Sequence, residues 1–434
     1  TKIMQPATKM IFDGKKIEQY QYWKPDFKHK INNTIDDLSE KYIYYLTNSL
    51  KRKTSDNKNF GLFLSGGMDT RLLLAVAKKN NLSFKTFTFN SLYNREVKIA
   101  KRAAKIVGFN HSFFKNPKGH YKNIFEEAIR TTGSLYELQC LFYGHEKNIK
   151  KKIDVAFHGH GLDYFFQGRY LPRKRISFFK KELNLIMPKK IKGDLVSFYL
   201  KNISYKTGAE NIPNLIKRNR YLMMFERLKK ELNDIKENSL KFCNTKVDIY
   251  EYLTLSNLAR HYTHSDVMAM NSIVEIRNPS YDNDLYNFYQ KLPWNLRFDS
   301  RVQRLSLKKL NPKLSALISA NTDLQIGYSR YQKTFFQITN YFKRLITGKS
   351  GSVLDNFQRS GLPYDYLFQH DWNGYIKEAI KKERLSSISF LNFDVVKKLL
   401  KSVLIKENNI KNNQLIVSLI SLDNFLKIVD KCRN

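Results

Sequence analysis

Cysteine is scarce in this chain. Cys140, Cys243 and Cys432 lie far apart in 434 residues, a spacing that excludes a zinc-ribbon pattern and a disulfide framework. A reducing compartment, the cytoplasm, is the expected location. Long apolar runs are missing as well, which argues against a membrane-spanning helix. The opening TKIMQPATKM has no apolar h-region, so it is not a signal peptide. It also lacks an initiator Met, which points to a fragment or a processed product. Acids are few: 39 Asp+Glu face 76 Lys+Arg, a formal net charge of +37. That imbalance suits a polyanionic partner such as nucleic acid, an acidic glycan or an anionic membrane surface. It equally suits a merely Lys/Asn/Ile-rich composition. No RNA-binding motif appears, and the aromatics are dispersed rather than gathered on one platform.

What is present is globular. Hydrophobic residues make up 42% and aromatics 14%, enough to bury a large core in two or three packed units. MIFDGKKIEQYQYW reads as a strand pair around an Asp-Gly turn, and KYIYYLTNSLKRK as a helix. Strands and helices then alternate. GLFL (61–64), FKTFTF (84–89), HSFF (111–114) and VAFHGHG (155–161) read as strands. TRLLLAVAKKN and EVKIAKRAAKIVG, the latter closed by Gly108, read as helices between them. Such alternation predicts an α/β fold with a parallel, doubly wound sheet. After about residue 195 the pattern is helical. Between Arg169 and Lys192, nine basic residues meet one acid, Glu182, with apolar residues interleaved. The expectation there is a solvated helix with one buried face; the alternative is a segment touching an acidic polymer or membrane surface.

With only 18 glycines in the chain, the pair Gly66-Gly67 in FLSGGMDT stands out. It falls where a strand should end and a helix begin, the place where open α/β sheets bind ligands. Glycines there let backbone N–H groups approach a phosphate, and the helix N-terminus adds partial positive charge. The motif is not a Walker A loop, because Asp69 stands in the first turn where a phosphate would be repelled. An acid at that point reads as a ligand for Mg²⁺ placed between carboxylate and phosphate. Asp163, after the glycine-rich turn in HGHGLDYFFQGRY, is the second candidate ligand.

These stretches resemble a known family. SGGMDT is similar to the SGGLDS signature of PP-loop ATP pyrophosphatases, and LFLSGGMDTRLLLA to the synthetase domain of asparagine synthetases and β-lactam synthetases. HGHGLDYFFQGRY stands where that family has a G-E-G-x-D-E-x-F-x-G segment. DVMAMNSIVEIRNPSYDNDL resembles a further family stretch at Asp266, Met270, Glu275, Arg277, Pro279 and Asp282. DGKKIEQYQYWKP resembles the segment that links an N-terminal glutaminase domain to the synthetase domain. The resemblance implies ATP and Mg²⁺ as cofactors and a reaction that adenylates a carboxylate, releases pyrophosphate and passes the acyl group to ammonia or an amine. It implies a strand-pair linker over 1–30, a PP-loop synthetase domain over 31–310 with a basic helical insertion near 169–245, and a helical region over 311–434. Ser65, Gly66, Gly67, Asp69 and Thr70 would hold pyrophosphate and metal, with Asp163 as second ligand. Leu64, Phe89, His158 and Gly159 would line the adenosine pocket. Glu275 and Arg277 would organise a domain interface. The acceptor pocket would draw on 131–140, Tyr136 and Glu137 among them, and on 261–272.

Three departures set this chain apart. His160 replaces the acid between the glycines and is a candidate base. Tyr164 replaces the acid after Asp163. Gln325 stands where the catalytic lysine would fall, with Arg330 and Lys333 as nearby cations. Together they point away from plain aspartate toward a uronate sugar, another glycan carboxylate or a small natural product. Two alternatives remain at this level. One is a degenerate family member that binds a polyanion without catalysis. The other is a metallohydrolase built on His158, His160 and Asp163 with His261 and His264.

Overall fold

The structure, a computed structural model, describes residues 4–134, 142–178, 183–202, 212–320, 322, 324–347, 364–405 and 413–433. The chain starts with the expected hairpin, β1 (Thr8–Phe12) paired antiparallel with β2 (Ile17–Gln21). Asp13 Oδ1 accepts the N–H groups of Lys15 and Lys16 at 2.8 and 2.7 Å, and Gly14 supplies the positive φ of the turn. Helix α1 (Ile35–Lys53) follows, capped by Thr34, whose Oγ1 accepts the Asp37 N–H. Its first turn is acidic and its last turn basic, which complements the helix dipole.

Alternating elements then build the sheet: β3 (Phe60–Phe63), α2 (Met68–Lys79), β4 (Lys85–Asn90), α3 (Arg95–Val107), β5 (His111–Lys115), α4 (His120–Thr132), α5 (Glu146–Lys150), β6 (Val155–Phe157) and α6 (Leu162–Phe166). Helix α3 begins at an Asn94 cap and stops at Gly108 with φ 78°, the left-handed stop the sequence predicts. All pairings among these strands are parallel. The order is β5-β4-β3-β6-β9, where β9 is Glu275–Ile276. The chain therefore winds outward from β3 in one direction, then returns to place β6 on its other side. The ends of β3 and β6 form the topological switch point, where a crevice opens above the sheet.

Helices cover both faces. Leu62, Leu64, Val155 and Phe157 point into one core with Leu72, Val76, Ala100 and Ala104. Their strand neighbours Phe63 and Ala156 point into the other with Ile124, Ala128, Ala269 and Met270. This period-two division explains why β3 and β6 are continuous apolar runs. A third core joins Tyr121, Phe125 and Ile129 of α4 to the C-terminal helices, with Trp372, Ile376, Val396, Leu400 and Ile416 among its members.

Three expectations need correction. The segment 169–192 is not a helix: Arg173–Phe178 and Leu183–Pro188 form an antiparallel pair, β7 and β8. Pro172 and Pro188 bracket it, and a helix interior does not tolerate such a proline. The basic insertion near 169–245 is thus a hairpin followed by helices Leu195–Asn202, Ile212–Leu215 and Arg218–Ser239. The strand in VAFHGHG ends at Phe157, and HGHG is loop. The two-residue strand β9 is additional.

Two buried arginines tie the layers together. Arg297 meets Glu251 in a bidentate pair with both side chains fully buried, and its guanidinium lies 4.8 Å from the Tyr289 ring centroid. Arg71, on α2, donates to the carbonyls of Leu314, Leu317 and Ile318 at 3.2, 2.8 and 2.7 Å. Arg277 fastens the end of β9 to the loop after α1 through a bidentate contact with Asp56 at 2.7 and 2.6 Å. Among the described residues, no helix is long and apolar enough to cross a membrane.

Candidate active site

The loop after β3 is anchored before it turns. Leu64 N–H donates to the Phe87 carbonyl at 2.7 Å, and Thr88 Oγ1 donates to the Leu64 carbonyl. Gly66 then takes φ 70°, and a Cβ there would lie 3.0 Å from Ile99 Cγ2. Both backbone and space demand glycine. Gly67 is the N-cap of α2 and supplies no side-chain cap. The first-turn amides of this 12-residue helix are therefore left for an external acceptor, and phosphate is the natural one.

The loop after β6 presses against this helix start. A Cβ on Gly159 would lie 2.8 Å from Asp69 Cβ and 3.4 Å from the Thr70 backbone nitrogen. Gly161, at φ 92°, turns the chain into α6, and Ser280 Oγ donates to the His160 carbonyl. Gly159→Ala is expected to push the Asp69 carboxylate aside and lower turnover by about 100-fold, the scale of a 1 Å misplacement. Steady-state kinetics beside a thermal melt would check this: loss of activity without loss of fold is expected, and wild-type turnover would refute it.

Asp69 and Asp163 line one cavity of about 600 Å³. Burial pushes the Asp69 carboxyl up, and the negative charge of Asp163 pushes it further. Gln167 Nε2 donates to Asp69 Oδ1 at 2.7 Å, and Arg169 Nε lies 3.4 Å from Asp163 Oδ2. Two carboxylates that repel each other at the rim of a phosphate-ready helix form an all-oxygen donor set, which fits Mg²⁺. Tyr164 serves packing instead: it stacks on Tyr170 at 4.7 Å and shares a 2.8 Å hydrogen bond with Tyr281.

The same cavity also carries nitrogen donors. His158 and His160 stack at 6.1 Å, and His160 Nδ1 lies 3.6 Å from Asp266 Oδ2. Asp266 sits on helix His264–Asn271, which continues from a π-helical segment, Leu255–Thr263. Such segments recur at functional sites because they re-aim the following turn. Tyr262, Thr263, Asp266 and Met270 all reach the cavity. Burial lowers His158 to about 3 and His160 to about 4, while it raises Asp266 to about 7.

Those depressed imidazoles make an acid-labile contribution to stability. Between the ordinary histidine value of 6.5 and about 4, the unfolded chain takes up protons that the folded rings refuse. The rings' contribution to stability therefore falls as pH falls through that window, by up to about 1.4 kcal/mol per pH unit for each ring, while the raised carboxyls of Asp69, Glu96 and Asp266 contribute in the opposite sense. In the presence of a chelator, His160→Asn is expected to raise the melting temperature relative to the wild type increasingly as pH falls through this window. An unchanged slope would contradict this.

Leu64, Ser65, Asp69, Thr70, Phe89, His158, Gly159, His160 and Asp163 all line the same cavity, with Gly66 and Gly67 forming the loop beside it. Gln325 and Lys333 do not line it. Gln325 bridges to Ile318, on the strip whose carbonyls Arg71 holds. Lys333 is half-buried, and burial lowers its ammonium against the pull of Asp299. The Arg330 guanidinium lies over the Phe298 ring, and its backbone N–H donates to Asp299 Oδ2. The histidine cluster recruits Asp266 rather than Asp163, and neither His261 nor His264 belongs to it among the described residues, which corrects the metallohydrolase arrangement. Tyr136 and Glu137 lie outside the described residues. Sequence reasoning missed Glu96, which lines the cavity and whose carboxyl burial raises to about 8, and also missed Gln167 and Arg169. No motif marks Glu96, whereas Gln167 and Arg169 stand within HGHGLDYFFQGRY, where only residues up to Tyr164 drew attention.

Asparagine synthetase [glutamine-hydrolyzing] 1 of Bacillus subtilis (strain 168) is 25% identical over 322 residues, which cover 66% of this chain and 49% of that protein. The chain thus spans about half the length of this curated relative. A structure of NMN synthetase from Francisella tularensis aligns with 32% of this chain and 59% of that one at 13% identity, with a TM-score of 0.22, too low to support an argument. The family model for asparagine synthase matches residues 42–313, from within α1 past the Asp266 helix. That match covers well over half of the sequence, and the chain belongs to the asparagine synthase family.

Proposed function

We propose that this chain is an ATP-dependent carbon–nitrogen ligase that adenylates a carboxylate other than free aspartate and transfers the acyl group to ammonia or an amine. The observation that carries the reading is the cavity at the switch point, which brings together a helix start without a side-chain cap, two carboxylates and a neutral histidine. A carboxylate oxygen attacks the α-phosphorus of ATP, the bond to the bridging oxygen breaks, and pyrophosphate leaves. The amine lone pair then attacks the acyl carbon, AMP departs, and the nitrogen loses a proton.

The amides of α2 and Thr70 bind the pyrophosphate end, while Leu64, Phe89, His158 and Gly159 enclose the adenosine. Asp69 and Asp163 would hold Mg²⁺, which would supply positive charge to balance the departing pyrophosphate. His160, kept neutral by burial, accepts the proton from the attacking nitrogen. It is a weak base, but the nitrogen of a tetrahedral adduct is acidic enough for one. Gln325 in place of a lysine leaves the α-phosphate with less positive charge, so a slow first step is expected, unless Lys333 or Arg330 swings in. A uronate sugar or natural-product acid fits the replacement of the inter-glycine acid by His160. ATP labelled in its α-phosphate tests the reaction type: labelled AMP as the product with the right acid and amine supports the reading, and labelled ADP overturns it.

A further inference from the structure

The wall that carries His158, His160 and Asp266 offers a second use besides the base role of His160, and the two are exclusive: an imidazole that ligates a metal has no lone pair left to take up a proton. Each of the three offers one donor atom, and those atoms lie within 4.8 Å of one another. A zinc-type ion with bonds of about 2.0–2.2 Å needs donors roughly 3.4 Å apart, so closure by about 1 Å completes the site. The supports already exist. His158 and His160 flank Gly159, which is wedged against Asp69, and the His160 carbonyl is held by Ser280. Asp266 is presented by the helix that follows the π-helical turn.

Two buried ring nitrogens in this cluster, His158 Nδ1 and His160 Nε2, have no hydrogen-bond partner. Buried nitrogens are rarely left so. Two imidazoles and one carboxylate form a borderline donor set that favours zinc, cobalt or nickel over magnesium. The Asp69/Asp163 pair, all oxygen, has the opposite preference.

We propose that His158, His160 and Asp266 bind one transition-metal cation of the zinc type, separate from the Asp69/Asp163 position. Three protein donors leave a fourth position open, and all three residues line the cavity. On the ligase reading, on which this last point rests, a metal held there takes His160 out of service as a base.

The test uses the full chain, stripped with a chelator and titrated with Co²⁺ alone, whose visible absorption reports tetrahedral nitrogen and oxygen ligation. One equivalent is expected to bind and to be displaced by Zn²⁺. His158→Ala, His160→Ala and Asp266→Asn should each weaken binding by about 100-fold or more, whereas Asp69→Asn should leave it unchanged. Absence of Co²⁺ binding in the wild-type chain overturns the proposal without reference to any variant. So does binding that survives in folded His160→Ala and Asp266→Asn proteins, or that disappears in Asp69→Asn. No arm involves ATP turnover, so failure of this site and failure of the ligase reading are told apart.

Discussion

Asp69→Asn is expected to lower Mg²⁺-dependent turnover by on the order of 100- to 1000-fold, the scale seen when one charge-stabilising group leaves an active site. The same substitution is expected to raise the melting temperature. The carboxylate is pushed up by burial and by Asp163, so the folded chain holds its proton more tightly than the unfolded chain does. Stability must then fall as pH rises from the ordinary value of 3.8 toward the elevated one. Asparagine removes that loss and still accepts the Gln167 hydrogen bond. The gain in melting temperature should therefore be larger at mildly alkaline than at mildly acidic pH. In the wild-type chain, Mg²⁺ must displace the proton, so metal-dependent ATP binding should strengthen as pH rises. A variant that loses both activity and stability would show that Asp69 acts as a structural cap.

The second large effect lies far from the chemistry. Glu251→Ala is expected to destabilise the fold by about 3–5 kcal/mol, because it strands the Arg297 guanidinium without a counter-charge. Both side chains are fully buried, so water cannot replace the lost carboxylate. Adding Arg297→Met should recover much of the loss, since a buried pair costs desolvation that an apolar side chain avoids. Denaturant unfolding of the two single variants and the double variant forms a complete cycle. Additive losses would contradict the pairing.

The sheet was readable because its strands are buried on both faces. Leu62 to Leu64 and Val155 to Phe157 leave no polar alternation to confuse with a surface strand. The glycine pair and Asp69 were readable because a phosphate-binding turn leaves few residue choices. β9 was not, because two residues carry no periodicity. The hairpin at 173–188 was misread because its charges mask alternation, although Pro172 and Pro188 were visible warnings. Asp266 was matched to a family stretch, but its partnership with His158 and His160 depends on a packing contact between distant parts of the chain. Arg71 did leave a signal: it lies inside a helix that is apolar almost all round, and a charge there must find partners.

Adenylation itself is open to ATP–pyrophosphate exchange in Mg²⁺, run on the wild-type chain and on Asp69→Asn with pooled aspartate, uronic acids and nucleotide-sugar uronates. Exchange that depends on a single carboxylate other than aspartate, and vanishes in the variant, is the predicted result. Exchange that persists in Asp69→Asn, or exchange with aspartate alone, would contradict it.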